Sequence, residues 1–405
     1  MTSMEISRRP SRPLQGLITA IALAAGLLLR LWFILHAARI AGDTLVYGDI
    51  AKNWLDHGVY GFTQTDASPL PTLIRLPGYP AFLALCFSLF GREHYTAVML
   101  AQAVLDLLTC VILAALAGRL FGSRAFYAAL WTATLCPFTA SYVAAPLAET
   151  LSLACIALAF YSLHRWLDRR PADSKPQAPL CPYNRWLYLL AASLAYAILL
   201  RPEQGLLAAA VLPAMLWTTL RSAAPPRVRT GLRRVAPVLL VAILTVLPLA
   251  PWTLRNWHTF HVLQPLAPRY ANDPGETVPL GFEHWYRTWA IDFTSTEDVY
   301  WNYDGAEVAI SDLPSRAFDN DAQFTTTDAL LAEYNETARA TPALDARFAA
   351  LAEERIHADP IRYYLALPIA RLLNMAFRPR TEMLPIPLEW WKFREHPTQA
   401  AVAAA

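Results

Sequence analysis

The chain has 405 residues, of which 55% are hydrophobic and only 16% charged, with a formal net charge of +2. That composition excludes an ordinary soluble domain and a strongly basic nucleic-acid binder, and it makes the positions of Lys and Arg more informative than their sum. The sequence holds no Walker loop, no GxGxxG, no repeat period and no basic nucleic-acid patch, so ATP-driven transport and nucleic-acid binding are poorly supported. Cys86, Cys110, Cys136 and Cys155 lie in apolar runs and Cys181 in a polar loop, without a CxxC or Cys/His cluster, so neither zinc nor a redox role is expected.

From the amino terminus, Arg8, Arg9 and Arg12 precede a long apolar segment, Leu14 to Ala38, that lacks a small-residue cleavage site and reads as a retained first helix. Further apolar runs fall at about 78–91, 95–118, 125–145, 147–165, 186–200, 203–220, 235–254 and 361–377. Two basic loops, 165–185 and 221–234, belong on the same side as the basic terminus, which requires an even number of crossings between them. That parity is met when the marginal 78–91 run lies in the outer interface, and Arg119, Arg124, Arg378 and Arg380 then fall inside as well. The expected architecture is an all-α polytopic membrane protein of about eight transmembrane helices, with interfacial helices in a first outer loop, 39–94. Residues 1–254 would form the transmembrane catalytic region, 255–360 an aromatic-rich non-cytoplasmic loop or small domain, and 361–405 a last helix and tail.

The first outer loop begins "GDTLVYGDIAKNWLDHGVYG" (42–61). Val46, Ile50 and Trp54 recur every four residues against Asp49, Lys52, Asn53 and Asp56, the pattern of an amphipathic helix on a membrane surface. Asp43, just ahead of it, stands where a helix cap is ordinarily found. The expected topology also brings Glu149, Arg201 and Arg255 to the same membrane depth. Carboxylates and guanidinium groups on one face suit a reaction in which an acceptor gives its proton to a carboxylate while cations stabilise a departing phosphate.

"GDTLVYGDIAKNWLDHG", "RLPGYPAFLALCFSLFG", "LAETLSLACIALAF", "LLRPEQGLL" and "LPLAPWTLRNW" follow one another in an order that resembles the GT-C superfamily of membrane glycosyltransferases, over about residues 14–260. The resemblance is closest to bacterial relatives of protein O-mannosyltransferases and of the lipid A aminoarabinose transferase, and 348–382 looks like the later part of a subgroup. It implies a GT-C-like fold in which Asp43 matches the catalytic Asp, with Tyr47 at the D-x-x-x-Y spacing. Arg75 takes the basic position that contacts the lipid phosphate, although Leu76-Pro77 replaces the usual Pro-Pro pair. Glu149 matches an acid of the second outer loop, while Arg201 and Arg255 occupy similar positions. Together these imply Asp43 as catalytic residue, Arg75, Arg201 and Arg255 on the donor phosphate, and Tyr47, Asp49 and Glu149 toward substrate. The implied donor is a polyprenyl-phosphate sugar, the acceptor an unspecified glycan, lipid or protein, and the location the inner (plasma) membrane, multi-pass, with the site on the non-cytoplasmic side. No cofactor or metal is expected, although some relatives use a divalent ion. Many relatives continue through further helices, whereas this chain stops at "PTQAAVAAA", so it is either a short member or a piece of a longer protein.

Each residue also has a plainer reading. Asp49 on the polar face of a surface helix is more simply a solvated carboxylate. Arg30 and Asp106, within spans, would face the interior and pair, or Arg30 would snorkel outward. Gln102 and Tyr127 would pack. The nine His include no metal-site spacing. Trp257, Tyr270, Trp285, Tyr286, Trp289, Tyr300, Trp301 and Tyr303, with Asp292 and Asp304 nearby, suit either sugar binding or a small domain at the membrane interface. The rival class is a lipid or polysaccharide transporter or a non-catalytic scaffold. A transporter would carry its polar groups near the midplane. Convergence of Asp43, Arg75, Glu149 and Arg201 favours the enzyme, and scattering favours a scaffold.

Overall fold

The computed structural model describes residues 12–65, 68–168, 185–221, 228–378 and 383–385, and for 12 and 228–234 the backbone alone. Cys181 and the basic residues of 169–184 and 222–234, on which the expected sidedness rests, lie outside the described side chains. Contacts divide the chain into two units, one of residues up to Pro274 with Met383–Pro385, the other starting at Gly275.

The first unit is helical apart from one small hairpin. Its elements are α1 (Arg12–His36), α2 (Asp43–His57), β1 (Gly61–Thr63), β2 (Pro69–Pro71), α3 (Gly78–Phe90), α4 (Tyr95–Phe121), α5 (Ser123–Thr134), α6 (Pro137–Tyr142), α7 (Glu149–Asp168), α8 (Arg185–Leu200), α9 (Gly205–Arg221), α10 (Val228–Val246) and α11 (Leu249–Phe260). Four described stretches are long and apolar enough to cross a membrane: Pro13–His36, Tyr95–Phe121, Glu149–Asp168 and Val235–Phe260. The apolar α3 and α8 are shorter, and the run expected at 125–145 is broken into α5 and α6. The break falls at Cys136, whose extended backbone is what a residue before proline adopts, and Pro137 then opens α6.

Inside the bundle, Arg30 of α1 is fully buried against Asp106 of α4. Its Nε donates to Asp106 Oδ2 at 2.7 Å, Nη2 donates to the same oxygen, and Nη1 reaches the Gly26 and Thr134 carbonyls at 2.8 Å, so the charge is neutralised and its donors are used. Of the two fates expected for Arg30, pairing with Asp106 is the one found. Gln102 does more than pack: its amide donates to the Val143 and Ala145 carbonyls and its oxygen accepts from Tyr79, joining α3, α4 and the turn before α7.

At one end of the bundle, α2, α3 and the hairpin lie over α7, α8 and α11. A core of Tyr47, Ala51, Tyr79, Leu83, Phe87, Leu151, Ala197 and Leu200 welds α2 and α3 to α7 and α8. The joint needs Gly78, where an added Cβ would stand 2.5 Å from the Leu199 backbone. Gly61 serves the hairpin similarly, 2.0 Å from the Leu70 carbonyl oxygen if it carried a Cβ. The first unit also takes in 255–274, because α11 runs on to Phe260 and Asp273 accepts the Leu73 amide at 2.8 Å.

The second unit contains α12 (Leu280–Tyr286), α13 (Phe293–Ser295), α14 (Asp321–Asn335), α15 (Pro342–Ala358) and α16 (Leu367–Phe377), the last preceded by a π-helical turn, Arg362–Ala366. Its core is aromatic: Phe282, Trp285, Trp289, Tyr303, Tyr334 and Phe348 are all buried. Three aromatics considered for sugar binding, Trp285, Trp289 and Tyr303, are therefore interior. Asp292 caps α13 through Ser295 and pairs with Arg316, and Asp304 accepts the Ala340 amide, so both acids hold the unit together.

Candidate functional site

The side chains that converge come from three helix ends and the segment after the hairpin. Asp43 is the first residue of α2, and the N-cap position is held by Gly42 without a side-chain cap. This corrects the capping expectation by one residue: Asp43 Oδ1 instead accepts from Arg75 at 2.8 Å, and the carboxylate is 51% exposed. Arg75 is carried by residues 72–77, between β2 and α3, with Tyr60 donating its hydroxyl to the Arg75 carbonyl at 3.0 Å. Its guanidinium lies 5.9 Å from the centre of the Tyr47 ring.

A second pair forms beside the first. Glu149 opens α7, where the helix dipole favours an acid, and its Oε1 accepts from Arg201 at 2.7 Å. Arg201 is extended, as a residue before proline must be, and Glu203 accepts from its Nε. Tyr47 lies within reach of all four charges. Its hydroxyl is pushed up to about 12, chiefly by burial and next by Asp43, with Arg75 opposing. Burial is the largest influence on Arg75 and Arg201 and works against their charges, but the acids beside them, Asp43 for the first and Glu149 with Glu203 for the second, together outweigh it, so both guanidinium groups hold their protons more tightly than usual.

Asp43, Tyr47, Arg75, Glu149 and Arg201 thus come together. Asp49 and Arg255 are otherwise engaged. Asp49 accepts the amide and the hydroxyl of Thr63, both at 2.7 Å, and lies 3.4 Å from Lys52, which ties β1 to α2. Arg255 donates to the Thr72 carbonyl at 2.7 Å and the Tyr60 carbonyl at 2.8 Å, among the rings of Tyr60, Trp252 and Phe260. It props the loop that carries Arg75. Tyr60 and Asp273, which hold the same loop, were not singled out from the sequence. The contacts to Thr72, Tyr60 and Arg75 are made by main-chain carbonyls, which leave no trace in a side-chain pattern. A signal did exist for Gln102, a lone amide in an apolar helix.

Chemically, the site offers two carboxylates that each face a guanidinium and remain partly open to solvent. Among the described residues neither Asp43 Oδ2 nor Glu149 Oε2 receives a hydrogen bond from the protein, so either carboxylate can accept a proton. Among the described residues no three His, Cys, Asp or Glu side chains gather as a metal site would require.

Residues 71–252 match the family described as dolichyl-phosphate-mannose-protein mannosyltransferase, a stretch that includes Arg75, Glu149 and Arg201 and ends before Arg255. No curated protein and no solved structure matches the chain.

Proposed function

We propose, from the premise that residues 71–252 are those of a GT-C membrane glycosyltransferase, that the chain moves a sugar from a polyprenyl-phosphate donor to an acceptor at the non-cytoplasmic face of the inner membrane. The observation that carries this reading is the meeting of Asp43–Arg75 and Glu149–Arg201 around Tyr47. A transporter would hold such groups near the middle of its spans, whereas Glu149 opens a helix and Arg201 follows the end of one.

In the proposed reaction the donor phosphate competes with the two carboxylates for Arg75 and Arg201. Guanidinium groups suit that task because they present paired donors to phosphate oxygens. As Arg75 turns toward the phosphate, Asp43 is released from its ion pair and is free to accept a proton. The acceptor oxygen or nitrogen attacks the sugar C1 while the bond from C1 to the phosphate oxygen breaks. The acceptor proton passes to Asp43, the bonding pair leaves with the polyprenyl phosphate, and the configuration at C1 inverts. Arg75 and Arg201 offset the charge that grows on the leaving group. Tyr47 keeps its hydroxyl proton throughout and positions Arg75 from beneath, and Glu149 holds Arg201 until the donor arrives. Arg255 and Asp49 act by shaping the loop, and no metal or other cofactor enters the scheme.

The test is transfer by the chain reconstituted in liposomes, offered labelled polyprenyl-phosphate mannose or the nucleotide-linked sugar with an envelope extract as acceptor. Label moving from the lipid donor alone is the expected result. Label moving only from the nucleotide sugar would remove the proposed donor.

A further inference from the structure

The run 361–377 was expected to be the last crossing, yet its surroundings in the second unit differ from those of a span. Along it the exposed and covered residues alternate with helical period. Ile361, Leu365, Ile369, Leu372, Leu373 and Phe377 are all exposed, while Leu367 is buried. The covered side is tied to the second unit at intervals along its length. Arg362 makes two hydrogen bonds to Asp319, at 2.6 and 2.9 Å. Arg371 donates to the carbonyl of Ala290 at 2.8 Å and to that of Arg287. Arg378, just past the end, lies 4.6 Å from the centre of the Phe293 ring, and Phe293 in turn packs edge-on against the exposed Trp301.

A helix fastened lengthwise to a body can enter hydrocarbon only as deep as that body can follow. This body exposes Glu307, Asp312, Asp328, Glu333, Arg347 and Glu353, and such charges cost several kcal/mol each in a bilayer. The π-turn and α16 together also reach only about 24 Å at 1.5 Å per residue, short of a hydrocarbon core of about 30 Å. One long apolar face, cations at both ends and a Trp near one end are instead the features of a helix lying in the plane of a membrane surface.

We propose that residues 361–377 are an in-plane membrane anchor: the exposed apolar face rests in the headgroup and upper acyl region of a phospholipid bilayer and holds the second unit against it. The occupant of this face is lipid, because the same chain is already held in a membrane by the helices of its first unit and the face joins apolar side chains to flanking Arg and Trp. The proposal does not depend on the transfer reaction.

The experiment places a nitroxide label at position 361, 365, 369, 373 or 377 of the full chain, with its own cysteines replaced, in liposomes of phosphatidylcholine and phosphatidylglycerol. Depth is read from relaxation by oxygen and by a water-soluble nickel complex. The anchor predicts one shallow depth at all five positions, about 5–10 Å below the headgroups. Depths running from one surface at 361 through the midplane at 369 to the other surface at 377 would show a span and overturn the proposal. Labels reached by nickel as freely as in solution would overturn it too. If cysteine replacement disturbs folding, the unmodified chain is photolabelled with phospholipids carrying a diazirine near the headgroup or at the acyl terminus. Adducts in 361–377 from the shallow probe alone support the anchor, and adducts from the deep probe or none at all refute it.

Discussion

Two Arg–Asp pairs in the first unit differ in nearly everything except composition. Arg30–Asp106 is sealed in the bundle, with side-chain exposures of 0% and 3% and the remaining guanidinium donors spent on carbonyls. Arg75–Asp43 sits at the end of the bundle, 25% and 51% exposed. A buried pair with all its donors used has nothing left to offer a substrate, and its loss is felt by the fold. A rim pair adds little to stability, and its partners can be exchanged for a ligand at small cost. The residue type therefore says less about role than how far the pair is open to solvent.

The largest effect that sharpens this contrast is on stability. Arg30→Met strands Asp106 in the interior and should cost about 3–5 kcal/mol, while Arg30→Met with Asp106→Leu should recover most of that loss. Thermal unfolding of the three proteins in one detergent measures it, and equal melting of all three would dissolve the distinction. Next comes Arg75→Met, expected to lower transfer about 10²–10³-fold by removing a donor from the leaving phosphate. Its melting temperature should stay close to that of the parent, because an exposed pair contributes about 0–1 kcal/mol. An unfolded Arg75→Met protein would make the rim pair structural after all.

A smaller change is expected from Asp49→Asn, which keeps one acceptor for Thr63 and should cost about 0.5–1.5 kcal/mol. Its transfer rate per folded molecule should stay near the parent's, and a loss as deep as that of an Asp43 variant would bring Asp49 into the chemistry. The last effect concerns Tyr47 and alkali. With its hydroxyl raised to about 12 by burial, the stability it contributes is intact below pH 10 and is lost as pH rises from there through about 12. Tyr47→Phe should flatten that decline in an alkaline unfolding series, and an unchanged slope would mean the hydroxyl is not held neutral.

Much of the helical framework could be read in advance because long apolar runs and prolines act locally. The break at Arg201-Pro202 is written in the residues that make it, the one at Cys136-Pro137 falls inside a run expected to be continuous, and the start of α2 was displaced by one position only. Arg30 and Asp106 could be matched as lone charges in apolar helices, since each has few other ways to be satisfied. The rim cluster was legible as a set of helix-end charges together with a family resemblance. The engagements of Asp49 and Arg255 were not legible, because the partners are Thr63 and main-chain carbonyls set by the fold of a small hairpin. The direction of Trp285, Trp289 and Tyr303 was equally hidden: aromatic residues spaced through a loop serve a core or a surface with the same composition.

In the proposed reaction Asp43 takes the acceptor proton. The most direct measurement is single-turnover transfer from labelled polyprenyl-phosphate mannose by Asp43→Asn and parent proteins reconstituted at equal amounts and shown to melt alike. The amide keeps the shape and cannot serve as a base, so transfer should fall about 10²–10⁴-fold while the donor still binds. Transfer at the parent rate by a folded Asp43→Asn protein would contradict the account and leave Asp43 as no more than a partner for Arg75.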